Sequence, residues 1–126
     1  QQVAVRVLPI TLFSDDTSGN RSKKWNCFES WIMNIAAFPL DESNKYENHF
    51  FFCTNNYEVT AMEMVKPLTD DLLKLEKGLV MYDAERQEDV FVIAPVLFFR
   101  GDNVRQAELA LNKGSRANHP CRFCYW

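Results

Sequence analysis

Three short segments of this chain carry residue types and spacings that can do chemistry. Ser14-Asp15-Asp16-Thr17 and Gly101-Asp102-Asn103 each set carboxylates among turn formers, and Cys121-Arg122-Phe123-Cys124 spaces two thiols by two residues. Carboxylates are hard oxygen donors suited to Mg²⁺ or Mn²⁺. Two-metal phosphoryl transfer needs them at the ends of neighbouring strands, because ions about 3.5–4 Å apart must be held in line with a scissile phosphate. The candidate ligands are Asp16, with Asp15 as its rival, and Asp102. A C-x-x-C pair supplies half of the four ligands that structural zinc takes. Each feature also has a plainer reading. Aspartate is a common turn former, and a half-site alone holds no zinc.

Other reactive side chains read as structural. Cys27 and Cys53 lie in apolar segments and are expected as buried core thiols. His49 opens a hydrophobic segment, and His119 precedes Pro120 in a solvated loop. Glu108 lies six residues after Asp102 and is expected as an exposed glutamate on another face of a helix.

The elements that would position these groups follow from hydrophobic period. Val3 to Phe13 is rich in β-branched and aromatic residues and reads as a strand running into a carboxylate-bearing loop. Cys27 to Phe38 and His49 to Thr54 read as two more strands, giving an antiparallel meander. Thr60-x-x-Glu63 is a capping box. Met64, Val65, Leu68, Leu72, Leu75 and Leu79 recur at helical spacing behind it, Gly78 is a plausible stop, and Pro67 predicts a kink or restart. Leu79 to Tyr82 and Val90 to Phe99 read as a hairpin whose second strand is buried on both faces. Asn103 is expected to cap a last helix, with Gln106 at the third position and Gly114 as terminator.

The order is strand, strand, strand, helix, strand, helix. It predicts an α/β, ribonuclease H-like mixed sheet in which the first and fourth strands are parallel neighbours, both ending in Asp. On this reading residues 1–126 are one partial domain, truncated on its C-terminal side.

Composition bounds the function classes. With 47% hydrophobic and 25% charged residues the chain is neither disordered nor fibrous, and its aromatic residues suffice to fill a core without disulfide staples. The longest apolar run, Val90 to Phe99, contains Pro95 and falls short of the ~20 residues that cross a bilayer, so no membrane partner is expected. A net charge of −3 gives no whole-chain attraction to a phosphate backbone. DNA contacts must come from local groups: Arg21, Lys23 and Lys24 beside Trp25, and a second set of Arg100, Arg105, Lys113, Arg116 and Arg122. Four cysteines without a secretory leader point to a reducing compartment.

Taken in order, Ser14-Asp15-Asp16-Thr17-Ser18-Gly19-Asn20, Lys23-Lys24-Trp25-Asn26, Gly101-Asp102-Asn103-x-x-Gln106-x-Glu108 and Cys121-Arg122-Phe123-Cys124 resemble the fungal Plavaka transposases, relatives of the CACTA cut-and-paste elements. The resemblance spans nearly the whole chain. It implies a DDE-type catalytic core that cleaves DNA at transposon ends and joins it to target DNA, using Mg²⁺ or Mn²⁺, in a nucleus, with a homo-oligomer allowed. By position Asp16, or Asp15, matches the first catalytic Asp and Asp102 the second. Cys121 and Cys124 match the start of a zinc-binding insertion, with the remaining Zn²⁺ ligands and the catalytic Glu further along. Without that third acid the chain itself is expected to be inactive. A domesticated derivative that keeps the fold as a DNA- or protein-binding module is the alternative, and a plain structural unit with turn-forming aspartates is the third reading.

Overall fold

Two prolines divide what reads as two long strands into four. The computed structural model describes residues 3–18, 27–56, 58–114, 117–121 and 123–124. In chain order these form β1 (Ala4–Val7), β2 (Ile10–Ser18), β3 (Cys27–Ile35), α1 (Leu40–Ser43), β4 (Phe50–Asn55), α2 (Ala61–Lys77), β5 (Leu79–Asp83), β6 (Glu88–Ile93), β7 (Val96–Arg100) and α3 (Asn103–Leu109), with a 3₁₀ turn at Tyr46–Asn48. The architecture is mixed α/β. One sheet has the order β1-β6-β5 and the other β4-β3-β2-β7, and each contains both parallel and antiparallel pairs.

Pro9 ends β1 and Pro95 ends β6, because proline has no N–H to give to a ladder. Hydrogen bonding resumes around them: Leu8 N donates to Ile93 O and Ile10 N to Pro95 O, each at 2.9 Å. The expected first strand is therefore β1 plus β2, and the expected long second strand of the hairpin is β6 plus β7. The strand carrying Leu12 and the strand carrying Phe98 do run parallel as neighbours, with Thr11 opposite Phe98 and Leu12 opposite Phe99. β3 pairs antiparallel with β2 along its whole length, and β4 with β3, so the meander is as expected.

One face of the larger sheet is packed by α2. Ile10, Leu12, Trp31 and Ala94 form the core with Ala61, Leu68 and Leu72 of the helix, and Trp31 Nε1 donates to Ala61 O. Cys53 packs against this cluster, only partly buried rather than inside the core as expected, and burial pushes its thiol pKa up. The side chain of Cys27 is outside the described residues. α2 begins as expected: the Thr60 hydroxyl accepts from Glu63 N while the Glu63 carboxylate accepts from Thr60 N. It runs unbroken through Pro67, and Gly78 ends it with φ +95°, where a Cβ would lie 2.3 Å from the Phe91 ring. Leu79, whose spacing continues the helical stripe, instead opens β5.

Two expectations are corrected. β7 is not buried on both faces: Leu97, Phe98 and Phe99 are each half exposed or more, because β7 is the end strand of its sheet and no described strand lies beyond it. The last helix is capped by Asp102 rather than Asn103, and it stops at Leu109 rather than near Gly114. Leu111 takes φ +54°, with Leu111 N donating to Glu108 O and Asn112 N to Ala107 O, which closes the helix as a Schellman motif with leucine in the left-handed position.

Candidate metal centre

β2 outruns β7. Their pairing ends at Phe13 opposite Arg100, while β2 continues to Ser18 against β3 alone. The last residues of β2 therefore carry Asp15 and Asp16 past the end of β7, into the space where the chain turns at Gly101 and enters α3. The two aspartates stand inside an extended strand, not in the loop the sequence suggested. Ligands of open α/β sheets commonly sit at such carboxyl ends of parallel strands.

Gly101 makes the turn close enough to matter. A Cβ there would lie 2.9 Å from Ser14 O and 2.9 Å from Arg105 Cγ, so only glycine lets the start of α3 lie against the end of β2. Asp102 follows as the helix cap, its Oδ1 accepting from Arg105 N at 2.7 Å. Gln106 Nε2 donates back to Gly101 O, fixing the turn from the other side.

Asp15, Asp16 and Asp102 line one cavity of about 200 Å³ together with Glu29, Val104, Arg105 and Glu108. This brings the sequence-derived carboxylates together and adds two that sequence reasoning passed over. Glu29 stands directly across from Asp16 in the β2/β3 register. No spacing signal marks it, because its place depends on that register alone. Glu108, expected on another helix face, reaches the cavity through Arg105, three residues before it.

Arg105, named above among the DNA-facing cations, is turned inward and only 7% exposed. Its Nη1 donates to Glu108 Oε2 at 2.7 Å and its Nη2 to Glu29 Oε2, while its Nε has no partner. Five carboxylates thus line a cavity with one guanidinium, which bonds two of them, Glu29 and Glu108. Burial is the main reason that the Glu29 pKa is raised. Arg105 opposes the rise, and the nearby charges of Asp16 and Glu108 add to it. The hydroxyl of fully buried Ser14 also has no partner. Asp15 Oδ1 accepts from Asp16 N at 2.9 Å.

The donor chemistry fits a hard divalent ion, since every candidate ligand is a carboxylate oxygen. The arrangement is not yet a ligand set. Among the described residues no three His, Cys, Asp or Glu side chains converge closely enough to hold a metal ion.

At the other end of α3, Cys121 and Cys124 bring their sulfurs to 3.1 Å without a disulfide, and Phe123 N donates to Cys121 Sγ at 3.4 Å. The hydrogen bond to Cys121 pushes the Cys124 thiol pKa up. Asn112 Nδ2 reaches the carbonyls of His119 and Cys121, tying this loop to the end of the helix. His49 is exposed just before the start of β4, its Nδ1 bonded to Lys45 O at 2.8 Å. Arg21, Lys23, Lys24, Arg116 and Arg122 lie outside the described residues.

Known proteins add nothing to this geometry. No family model, curated protein or solved structure matches the chain.

Proposed function

We propose that this chain is part of a ribonuclease H-like DDE transposase core, and that the cavity between β2 and α3 is the metal-binding half of its active site. One observation carries the reading: Asp16 and Asp102, from the carboxyl ends of adjacent parallel strands, line a single cavity. Asp16 is favoured over Asp15 because its charge is felt by Glu29 across the strand pair. A divalent ion bound there supplies Lewis-acid activation of an attacking oxygen and stabilisation of a leaving one. The protein's part is to hold the two aspartates in fixed positions. The β2/β3 ladder does so for Asp16 and the α3 cap for Asp102, whose Oδ1 serves the helix and leaves Oδ2 for a cation. Cys121 and Cys124 would begin a zinc-binding unit in the whole protein, where DNA is the partner and the nucleus the compartment.

Thermal melts with Mn²⁺ test the reading. Millimolar Mn²⁺ should raise the melting temperature by about 2–5 °C through mass action on the native state. Asp102→Asn should abolish the rise, and because Asn caps as well as Asp, it removes the charge without removing the cap. Asp16→Asn should shrink it more than Asp15→Asn. Equal shifts in wild type and Asp102→Asn would put the ion elsewhere and end the proposal.

A second reading has one observation behind it. With Arg105 fixed between Glu29 and Glu108, the carboxylates are already neutralised in part, as suits a derivative that keeps the fold for binding DNA or protein without cleavage.

A further inference from the structure

Arg105 is the cation among the residues lining the acidic cavity, and its placement is built in rather than incidental. Its stem passes over Gly101 at a distance that excludes any larger residue there. Its guanidinium is out of solvent, one terminal nitrogen on Glu29 and the other on Glu108, with Nε unsatisfied. A desolvated guanidinium is stable only beside negative charge, and a cluster of carboxylates is stable only beside positive charge, so each supports the other.

Glu29 is the shared group. It faces Asp16 across the β2/β3 ladder and lines the same cavity as Asp16 and Asp102. A guanidinium and a divalent ion seek the same carboxylate lone pairs, and with both in place their like charges would repel at close range. Resting on the reading of this cavity as a metal site, we propose that Arg105 is a resident counter-cation competing with the divalent ion, and that Glu29 is the carboxylate the two exchange. Glu29 then serves as a third oxygen ligand from within this chain once Arg105 releases it.

The probe is Mn²⁺ alone, titrated into the full chain and followed by the electron paramagnetic resonance signal of the unbound ion, with circular dichroism confirming the fold of each variant. Arg105→Gln should bind Mn²⁺ about tenfold more tightly than wild type, the size of effect that one neighbouring unit charge has on a carboxylate site. The double variant Arg105→Gln/Glu29→Gln should lose that gain. Should Arg105→Gln fail to fold, Glu29→Gln alone decides. It keeps an acceptor for Arg105 and should weaken Mn²⁺ binding about tenfold by the same charge argument. Unchanged affinity in Arg105→Gln, or in Glu29→Gln, overturns the inference, as does a double variant that binds as tightly as Arg105→Gln. Asp102→Asn separates the two ideas. If it leaves Mn²⁺ binding intact, the metal-site reading itself falls; if it abolishes binding while Arg105→Gln and Glu29→Gln change nothing, only the exchange between Arg105 and Glu29 is lost.

Discussion

Leu111 is a residue in a conformation that its side chain opposes. It sits at φ +54°, fully in the left-handed region, and its side chain is almost entirely exposed, so no packing offsets the strain. Left-handed backbone costs a residue with a Cβ about 1–2 kcal/mol, and glycine gives back part of that gain through the entropy it loses on folding. Leu111→Gly should therefore stabilise the chain by about 0.5–1 kcal/mol, read as a higher urea midpoint at unchanged slope. A lower midpoint would mean that the leucine makes a contact worth more than the strain. The same motif sets the far end of α3, from which Asn112 reaches the loop bearing Cys121, so relief of strain there should leave the loop in place.

Among the elements, α2 shows how local signals and packing agree. Its start is a reciprocal cap, and hydrogen bonding to Thr60 lowers the pKa of Glu63 below its ordinary value of 4.5. A carboxylate with a lowered folded pKa adds stability that is complete above the unfolded pKa and is lost as pH falls through the folded one. Acidification below about pH 4.5 should thus erode the advantage of wild type over Glu63→Gln, while the difference should be constant between pH 6 and 8. Melting temperatures of both proteins across that range check it. A difference that grows on acidification would show that the cap is not formed by the ionised carboxylate. Further along, the stripe of Leu68, Leu72 and Leu75 presses on the sheet that carries Asp16, so the cap also steadies the strand that presents the site.

For the whole molecule, the proposed reading of the cavity predicts what the chain does alone. Two aspartates face a site in which a third carboxylate is tied to Arg105. An under-coordinated ion neither orients an attacking oxygen nor stabilises a leaving one. The chain as it stands should neither nick supercoiled DNA nor join strand ends in millimolar Mn²⁺. Strand cleavage that disappears in Asp102→Asn, in a preparation free of contaminating nuclease, would refute this. The exposed apolar row of β7, Leu97 to Phe99, shows that burial here follows position in the sheet rather than hydrophobicity.

Period and punctuation in the sequence determined most of the elements. The alternation and bulk of the strand segments, the Thr60 cap, the helical stripe and Gly78 act within a few residues of one another, so their outcome needs no tertiary information. The parallel pairing of the strands bearing Leu12 and Phe98 was also legible, because a crossover helix leaves few other arrangements. Only the tertiary structure decided the rest. Pro9 and Pro95 break their strands at matching levels, since β1 pairs with β6 before the prolines and β2 with β7 after them. Asp102 displaced Asn103 as the cap once Gly101 had brought the chain against Ser14. Glu29 and Arg105 carry no local signature of a site. Their meeting depends on a strand register and a helix docking spanning 76 residues of chain, and long-range contacts of that kind are not encoded in any window of neighbouring residues.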